Sequence, residues 1–354
     1  MSRSILIMAG GTGGHIFPAL AVAEIMSSWG WRVTWLGARN SMEAELVPKH
    51  GYDIAWVRFS GLRGKGVLRK VMLPFNLMIA LWQSAIALFR YRPDVVLGMG
   101  GYITIPGGVM AALLRRPMVI HEQNSIAGLS NQVLARVAQR VLSGFPDVLP
   151  NAGWCGNPVR ASVSGLPEPE HRYGSRNGKL NVLVVGGSLG AQAINQIMPE
   201  ALVLLPENQR PLVTHQTGKK HYDAVRQQYR EAGVQADIKP FLEDMAQHYA
   251  NADLVVCRAG ALTIAELAAA GVASILIPFP FAVDDHQTCN ARFLSERGAA
   301  ILIPQNELSA DRLARLLGEL SREKLLVMAR QARSVAKADA AKDVAQICKE
   351  VAEA

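Results

Sequence analysis

The chain predicts two α/β domains, each a doubly wound parallel sheet of Rossmann-like build, facing each other across a cleft. Three observations lead there. The chain has 354 residues, more than one core of ordinary size holds. The same device also occurs twice: Ile5 to Ala9 runs into Gly10-Gly11-Thr12-Gly13-Gly14, and Asn181 to Val185 into Gly186-Gly187-Ser188-Leu189-Gly190-Ala191, each followed by an apolar helical stretch. Finally, other short apolar runs end in glycine or polar clusters, as strands do at the carboxyl edge of a parallel sheet, where nucleotides bind.

In chain order, Ile5 to Ala9 reads as the first strand, and Pro18 is expected to open a helix that Gly30 stops. Val33 to Leu36 is the second strand. Val95 to Leu97 leads into Gly98-Met99-Gly100-Gly101-Tyr102, and Met118 to Ile120 into His121-Glu122-Gln123-Asn124. Between them, residues 54 to 93 contain no acid but seven cations: Arg58, Arg63, Lys65, Arg69, Lys70, Arg90 and Arg92. The cations flank Val71 to Phe89, an apolar run in which Leu77 and Trp82 stand out, broken by Pro74, Asn76, Gln83 and Ser84. Those breaks make it a poor bilayer span, and an interfacial patch on an anionic membrane fits better than an ordinary core helix. Ser164 to Lys179, rich in Pro, Gly and charge, reads as the linker.

The second half centres on Leu254 to Glu266. Leu254 to Cys257 is a buried strand, and Arg258-Ala259-Gly260-Ala261 a tight turn into a helix, so free N–H groups and the helix dipole converge on one spot. Glu266, a turn further on, suits a neutral diol such as a ribose, since it would repel an anion. Asp284-Asp285-His286-Gln287 follows, with Gln287 and Asn290 on one helix face for sugar hydroxyls.

Composition narrows the chemistry. Cys155, Cys257, Cys289 and Cys348 are far apart with no CxxC pair, which argues against a zinc site and a disulfide framework and for a reducing, cytoplasmic compartment. Met1 to Ala9 is too short in apolar length for a signal peptide. A net charge of +8 implies an anionic partner. With 6% aromatic residues and no basic stripe among them, nucleic acid ranks last. The turn at Gly11 fails the dinucleotide fingerprint because Ile16 stands where a small residue is needed, and no GxxxxGK[ST], HExxH or DxD occurs. No cofactor and no metal are expected, so a diphosphate leaving group would rest on helix dipoles and backbone N–H groups. Gly186 to Gly190 also satisfies GxSxG, and Asp253 or Asp284 with His286 would complete a serine hydrolase order. That reading leaves the glycine turn at Gly10 and the basic apolar region without a role. His15, beside small residues that admit a substrate, is the candidate general base, and Arg160 follows the rigid Asn157-Pro158 turn.

The segments GGTGGHIFPALA, SGLRGKG, GMGGYITIPGG, HEQNSIAGLSN, GNPVR, GGSLGAQAIN, CRAGALTIAEL and DDHQTCNA stand in this order from residue 10 to 291. Together they resemble glycosyltransferase family 28, and within it the N-acetylglucosaminyltransferases of peptidoglycan synthesis. The resemblance implies a GT-B fold, with domains 1–163 plus 338–354 and 164–337. It implies inverting transfer of N-acetylglucosamine from UDP-N-acetylglucosamine to the 4-hydroxyl of MurNAc-pentapeptide on undecaprenyl diphosphate. The enzyme would sit peripherally on the cytoplasmic face of the inner membrane, with other cell-wall synthesis proteins as partners.

By motif, the donor would be held by Thr12, Gly13, Gly14, Asn124, Arg160, Ser188, Leu242, Ala261, Leu262, Thr263, Ile264, Ala265, Glu266 and Gln287, Leu242 lying by the uracil. Tyr102, Gly100, Gly101 and Asn131 would face the acceptor. Other GT-B transferases and a UDP-sugar epimerase are the nearest alternatives, and an epimerase has no use for a membrane patch. A nucleotide-binding scaffold without catalysis also remains open, since glycine turns bind nucleotides whether or not chemistry follows.

Overall fold

A computed structural model describes residues 3–59, 72–187 and 190–354. Contacts divide the chain into two compact units, Met1–Arg160 with Lys337–Ala354, and Ala161–Ala336. The first unit contains β1 (Ser4–Met8), α1 (Gly13–Ser28), β2 (Arg32–Gly37), α2 (Met42–Leu46), β3 (Asp53–Trp56), α3 (Leu73–Tyr91), β4 (Val95–Gly98), α4 (Thr104–Leu113), β5 (Met118–Glu122), α5 (Leu129–Leu134), β6 (Arg140–Ser143) and β7 (Gly153–Trp154). Its sheet is parallel in the order β3-β2-β1-β4-β5-β6-β7. Both faces are covered, which the near-continuous apolar strands require. In β1, Ile5 and Ile7 enter the core under α1, while Leu6 and Met8 enter the core under α3, α4 and α5.

The second unit contains α6 (Ala161–Ser164), α7 (Pro169–Gly174), β8 (Asn181–Val185), α8 (Gln192–Leu204), β9 (Leu212–Gln216), α9 (Tyr222–Glu231), β10 (Asp237–Lys239), α10 (Met245–Asn251), β11 (Leu254–Cys257), α11 (Ala261–Ala270), β12 (Ala273–Leu276), α12 (His286–Ser295), β13 (Ala300–Leu302), α13 (Ala310–Glu319) and α14 (Arg322–Ser334). Its sheet is parallel in the order β10-β9-β8-β11-β12-β13. The final helix, α15 (Ala340–Glu353), returns to the first unit, where Val344, Ala345, Cys348 and Val351 complete the core beside α1. Strand order reverses between β1 and β4 in one unit and between β8 and β11 in the other. A crevice opens at the carboxyl edge at each such point. The glycine turns singled out in the sequence follow β1, β4, β8 and β11.

Two local expectations change. The first helix begins at Gly13, and Pro18 lies inside it. Thr12, extended at φ −137° and ψ 155°, serves as N-cap, and its carbonyl already accepts from the His15 and Ile16 N–H groups at 3.1 and 3.2 Å. The helix is thus nucleated from the glycine loop before the proline, which forfeits only one intrahelical bond. Ser164 to Lys179 is not a free linker. Arg172 is buried and donates to the carbonyls of Pro167, Tyr249, Ala270 and Gly271, closing the C-terminus of α11, and the Tyr173 hydroxyl donates to the Asp253 carbonyl at 2.7 Å. Polar composition concealed side chains whose donors, four of the five N–H groups of Arg172 among them, are spent inside the unit.

The apolar run yields α3, and its polar breaks have local uses. Pro74 sits in the first turn, Ser84 donates back to the Ala80 carbonyl at 2.7 Å, and Gln83 accepts the Arg58 N–H at 2.6 Å. The buried face carries mostly small side chains, Ala80, Ser84, Ala85 and Ala87, with Leu88 the one large member. The opposite face exposes Phe75, Met78, Trp82, Ile86 and Phe89, with Trp82 71% accessible, and Leu77 is half-buried. Among the described residues α3 is the one helix long and apolar enough to cross a membrane, and 28% of that stretch is buried. Arg63, Lys65, Arg69, Lys70 and Val71 lie outside the described residues.

Candidate functional site

The crevice of the first unit is formed by the loops after β1, β4 and β5. Parallel pairing sets Met8 against Gly98, so the two glycine turns leave the sheet side by side. They touch through backbone: a Cβ on Gly101, at φ +88°, would stand 2.3 Å from the Gly10 carbonyl oxygen. Gly11, at φ +89°, is held by Glu43, fully buried on α2, whose carboxylate accepts the Gly11 and Ala38 N–H groups at 3.2 Å each. Tyr102 leans over this loop, close enough that a Cβ on Gly11 would meet its ring at 3.3 Å. Burial, reinforced by Glu43, raises the Tyr102 phenol above its usual value.

His15, in the first turn of α1, lies with its ring against Gly100, where a Cβ would come within 2.9 Å of it. Gly100 also has φ +95°, so it is required twice, for backbone conformation and for space. The Gly100→Ala variant is therefore expected to fold less stably and to displace the imidazole, which a thermal melt and the His15 ring resonances check together.

His15 Nδ1 lies 2.8 Å from Gln123 Oε1, Gln123 Nε2 lies 3.0 Å from His121 Nδ1, and His121 Nε2 lies 2.8 Å from the Gly156 carbonyl. Burial drives the His121 imidazole down to about 4, against the opposing pull of that carbonyl and of Glu122, so it is neutral near pH 7. The neighbouring loop hangs on Glu122. Its carboxylate accepts from the N–H groups of Asn124 at 2.9 Å and Gly128 at 3.0 Å and from Asn131 Nδ2 at 2.9 Å. Asn131 is buried, and its Oδ1 has no hydrogen-bond partner among the described residues. Asn157 donates to the Gln123 carbonyl at 2.9 Å, which packs the Asn157-Pro158 turn, three residues before Arg160, on this loop. Thr12, Gly13, Gly14, His15, Gly100, Gly101, Tyr102, Asn124 and Asn131 are thus gathered at one sheet edge.

The second unit repeats the arrangement. Gly190, at φ +81°, follows β8, and a Cβ there would stand 2.3 Å from the Thr217 carbonyl. Ser188 and Leu189 lie outside the described residues. After β11, Gly260 caps α11 in an extended conformation, and the first helical bond is Ile264 N–H to the Gly260 carbonyl at 2.9 Å. The N–H groups of Ala261, Leu262 and Thr263 precede it and point out of the helix end, where they and the dipole favour an anion. Glu266, 6% exposed, accepts from the buried Tyr249 hydroxyl at 3.1 Å. Leu242 is buried, its N–H held by Gln216 Oε1 at 3.1 Å. Gln287 accepts the Phe279 N–H at 2.9 Å in the loop after β12. Ile264 and Ala265 carry the helix onward, with Ile264 in the core.

Asn290 has another duty than the one expected, and Arg258, to which no duty was assigned, has a structural one. Asn290 is buried and donates to the Ala259 carbonyl at 3.2 Å, tying α12 to the turn before α11 instead of presenting itself to a sugar. Arg258 donates to the carbonyls of Ile277 and Pro278 at 3.0 Å each and to Gln305 Oε1 at 2.6 Å, so it braces the turn from behind. A hydrolase order through Asp253 is also excluded by position. Asp253 precedes β11 at the amino edge and is paired with Arg176 and Arg322, whereas Gly187 and Gly190, flanking Ser188, follow β8 at the carboxyl edge. Sequence reasoning assigned no role to Gln123, Glu122, Glu43 or Tyr249. HEQN at a strand end was the one visible signal for the first two.

Residues 5–143 match the glycosyltransferase family 28 N-terminal domain, and residues 181–346 the glycosyltransferase family 28 C-terminal domain. The UDP-N-acetylglucosamine–N-acetylmuramyl-(pentapeptide) pyrophosphoryl-undecaprenol N-acetylglucosamine transferase of Cupriavidus metallidurans is 61% identical over 351 residues, covering 99% of each chain. The protein of the same name from Aromatoleum aromaticum is 60% identical over 350 residues, covering 99% of this chain and 98% of its own. Among solved structures, Acinetobacter baumannii MurG superposes with a TM-score of 0.86 at 39% identity, covering 98% of this chain and 99% of that one.

Proposed function

The chain belongs to glycosyltransferase family 28, and from that premise we propose that it transfers N-acetylglucosamine from UDP-N-acetylglucosamine to the 4-hydroxyl of MurNAc-pentapeptide on undecaprenyl diphosphate, turning lipid I into lipid II. The observation that carries this is the 61% identity, over 351 residues and so across both units, to a transferase named for that reaction. His15 takes the proton of the acceptor hydroxyl as its oxygen attacks the anomeric carbon, and the bond to the diphosphate breaks on the opposite face, inverting the centre. The N–H groups at the start of α11, with Ser188 and Arg160, take up the charge on departing UDP. Glu266 holds the ribose diol, Leu242 borders the uracil, and Gln287 and Asn124 take sugar hydroxyls. Tyr102, Gly100, Gly101 and Asn131 line the acceptor side. The direct test is UDP release by the purified protein with and without a lipid-linked MurNAc-pentapeptide analogue. Release that ignores the acceptor would overturn the assignment.

Glu266→Gln keeps the shape of the side chain and removes its charge. A hydrogen bond to a charged group contributes roughly 1.5 kcal/mol or more, so KM for UDP-N-acetylglucosamine should rise about tenfold with a smaller change in kcat. An unchanged KM would remove Glu266 from the ribose.

The acceptor's polyprenyl chain stays in the bilayer, so the enzyme works at the membrane surface, peripherally on the cytoplasmic face and beside other proteins of cell-wall synthesis. The outward stripe of α3, in a region with cations and no acids, supports this. Burying one large apolar side chain contributes roughly 1.5–3 kcal/mol, so Met78→Ser with Trp82→Ser should cut binding to anionic vesicles on the order of 100-fold. Sedimentation equal to wild type would leave the stripe as ordinary surface.

A further inference from the structure

We propose that Gln123, itself oriented by His121, is a positioning residue that locks His15 in the tautomer with its proton on Nδ1, so that Nε2 carries the lone pair. This rests on the reading of His15 as the base and adds which nitrogen acts and what sets it.

The assignment follows from one fixed acceptor outward. The Gly156 carbonyl only accepts, so His121 Nε2, 2.8 Å away, carries the proton. His121 is neutral, so its Nδ1 is an acceptor. The Gln123 amide therefore turns its nitrogen toward it, at 3.0 Å. A second acceptor agrees, because the same nitrogen lies 3.1 Å from the His121 carbonyl oxygen, which an amide oxygen in that place would repel. With its nitrogen so engaged, Gln123 offers Oε1 to His15, and at 2.8 Å the partner must be a donor: Nδ1–H. Every orientation in the chain is fixed by its predecessor, and the far end, Nε2 of His15, is left as the open acceptor.

A histidine without such a partner prefers its proton on Nε2, the state that could not take a proton there. The relay therefore opposes the intrinsic preference. During the transfer the acceptor O–H proton moves to Nε2, the new C–O bond forms as the bond to the diphosphate breaks with its electron pair, and His15 becomes imidazolium. Nδ1–H remains bonded to Gln123 Oε1, whose negative dipole end faces the new charge. Gln123 adds no charge of its own, and the nearby carboxylates are turned elsewhere, Glu122 to Asn124, Gly128 and Asn131 and Glu43 to Gly11 and Ala38. The arrangement resembles the orienting role of the acid in a hydrolytic triad, with a neutral amide in its place.

The test uses the whole protein labelled with 15N at histidine. Ring correlations, assigned with His15→Ala, should show wild-type His15 as the Nδ1–H tautomer and His121 as Nε2–H. In Gln123→Met, which keeps the length of the side chain, the His15 signal should shift toward Nε2–H. There kcat should fall on the order of 100-fold with both KM values little changed, as for a misplaced catalytic group. His15 found as Nε2–H in the wild type, or Gln123→Met with wild-type kcat, overturns the relay. The wild-type spectrum decides even where the variant fails to fold. His15→Ala with undiminished kcat overturns the base reading instead, so the two failures are separable.

Discussion

Replacing His15 with alanine is expected to lower kcat by roughly 10²- to 10⁴-fold, the range general base catalysis supplies. KM for UDP-N-acetylglucosamine should move far less, because the donor contacts are assigned to other residues, Asn124 in the first unit and Ala261 to Glu266 and Gln287 in the second, all of which stay in place. Removing an interaction made in the transition state lowers kcat and kcat/KM together. Steady-state kinetics at saturating acceptor measure it. A large rise in donor KM with kcat preserved would mean that His15 binds substrate and does no proton transfer. The geometry argues for the first outcome. The imidazole is wedged against Gly100 and tethered to Gln123, an arrangement that costs two special residues and serves placement of a ring more than its packing.

The second large effect concerns stability. Asp253 has a fully buried carboxylate that accepts the Asn181 N–H at 2.8 Å and pairs with Arg176 at 2.7 Å and Arg322 at 3.2 Å. Asp253→Ala leaves two mostly buried guanidinium groups without their counter-ion, and breaking such a pair costs about 3–5 kcal/mol. Unfolding of the second unit, followed by denaturant titration, should shift accordingly; a loss below about 1 kcal/mol would mean the arginines find other acceptors. The pair also predicts an acid limit. Burial works to raise the Asp253 carboxyl, yet the hydrogen bonds from Arg322, the Asn181 N–H and Arg176 hold it below its ordinary value. A carboxyl depressed in the folded state contributes stability that is fully present above its unfolded value and is lost as the pH falls through the lower, folded one. Wild type should therefore lose stability from about pH 4 downward, and Asp253→Ala should lack that component of the slope.

The crevices were legible because glycine leaves a mark in sequence: Gly11, Gly100, Gly101 and Gly190 all adopt positive φ at the turns where they were noticed. The strands were legible too, since Asn181–Val185 and Leu254–Cys257 are bounded by turn residues on both sides. The relay was not, because His15 and Gln123 are brought together only when β1 and β5 flank β4 in one sheet. Arg172 misled for a related reason: an arginine in a proline-rich stretch looks solvated until the carbonyls it serves, Tyr249 and Ala270 among them, are folded beside it. In the apolar helix the absence of acids was visible, but which residues face outward was not, and Leu77 gives way to Met78 as the exposed position.

The return of α15 to the first unit bears on how the chain matures during synthesis. Val344, Ala345, Cys348 and Val351 fill the layer against α1, and Arg3 meets Glu353 at 2.5 Å, so segments made far apart in time belong to one core. Residues 161–336 form their unit from one continuous stretch of chain. Domains ordinarily fold in the order they emerge. Here the later-born unit can close first, and the amino-terminal one waits, with its α1 side uncovered, until α15 has emerged.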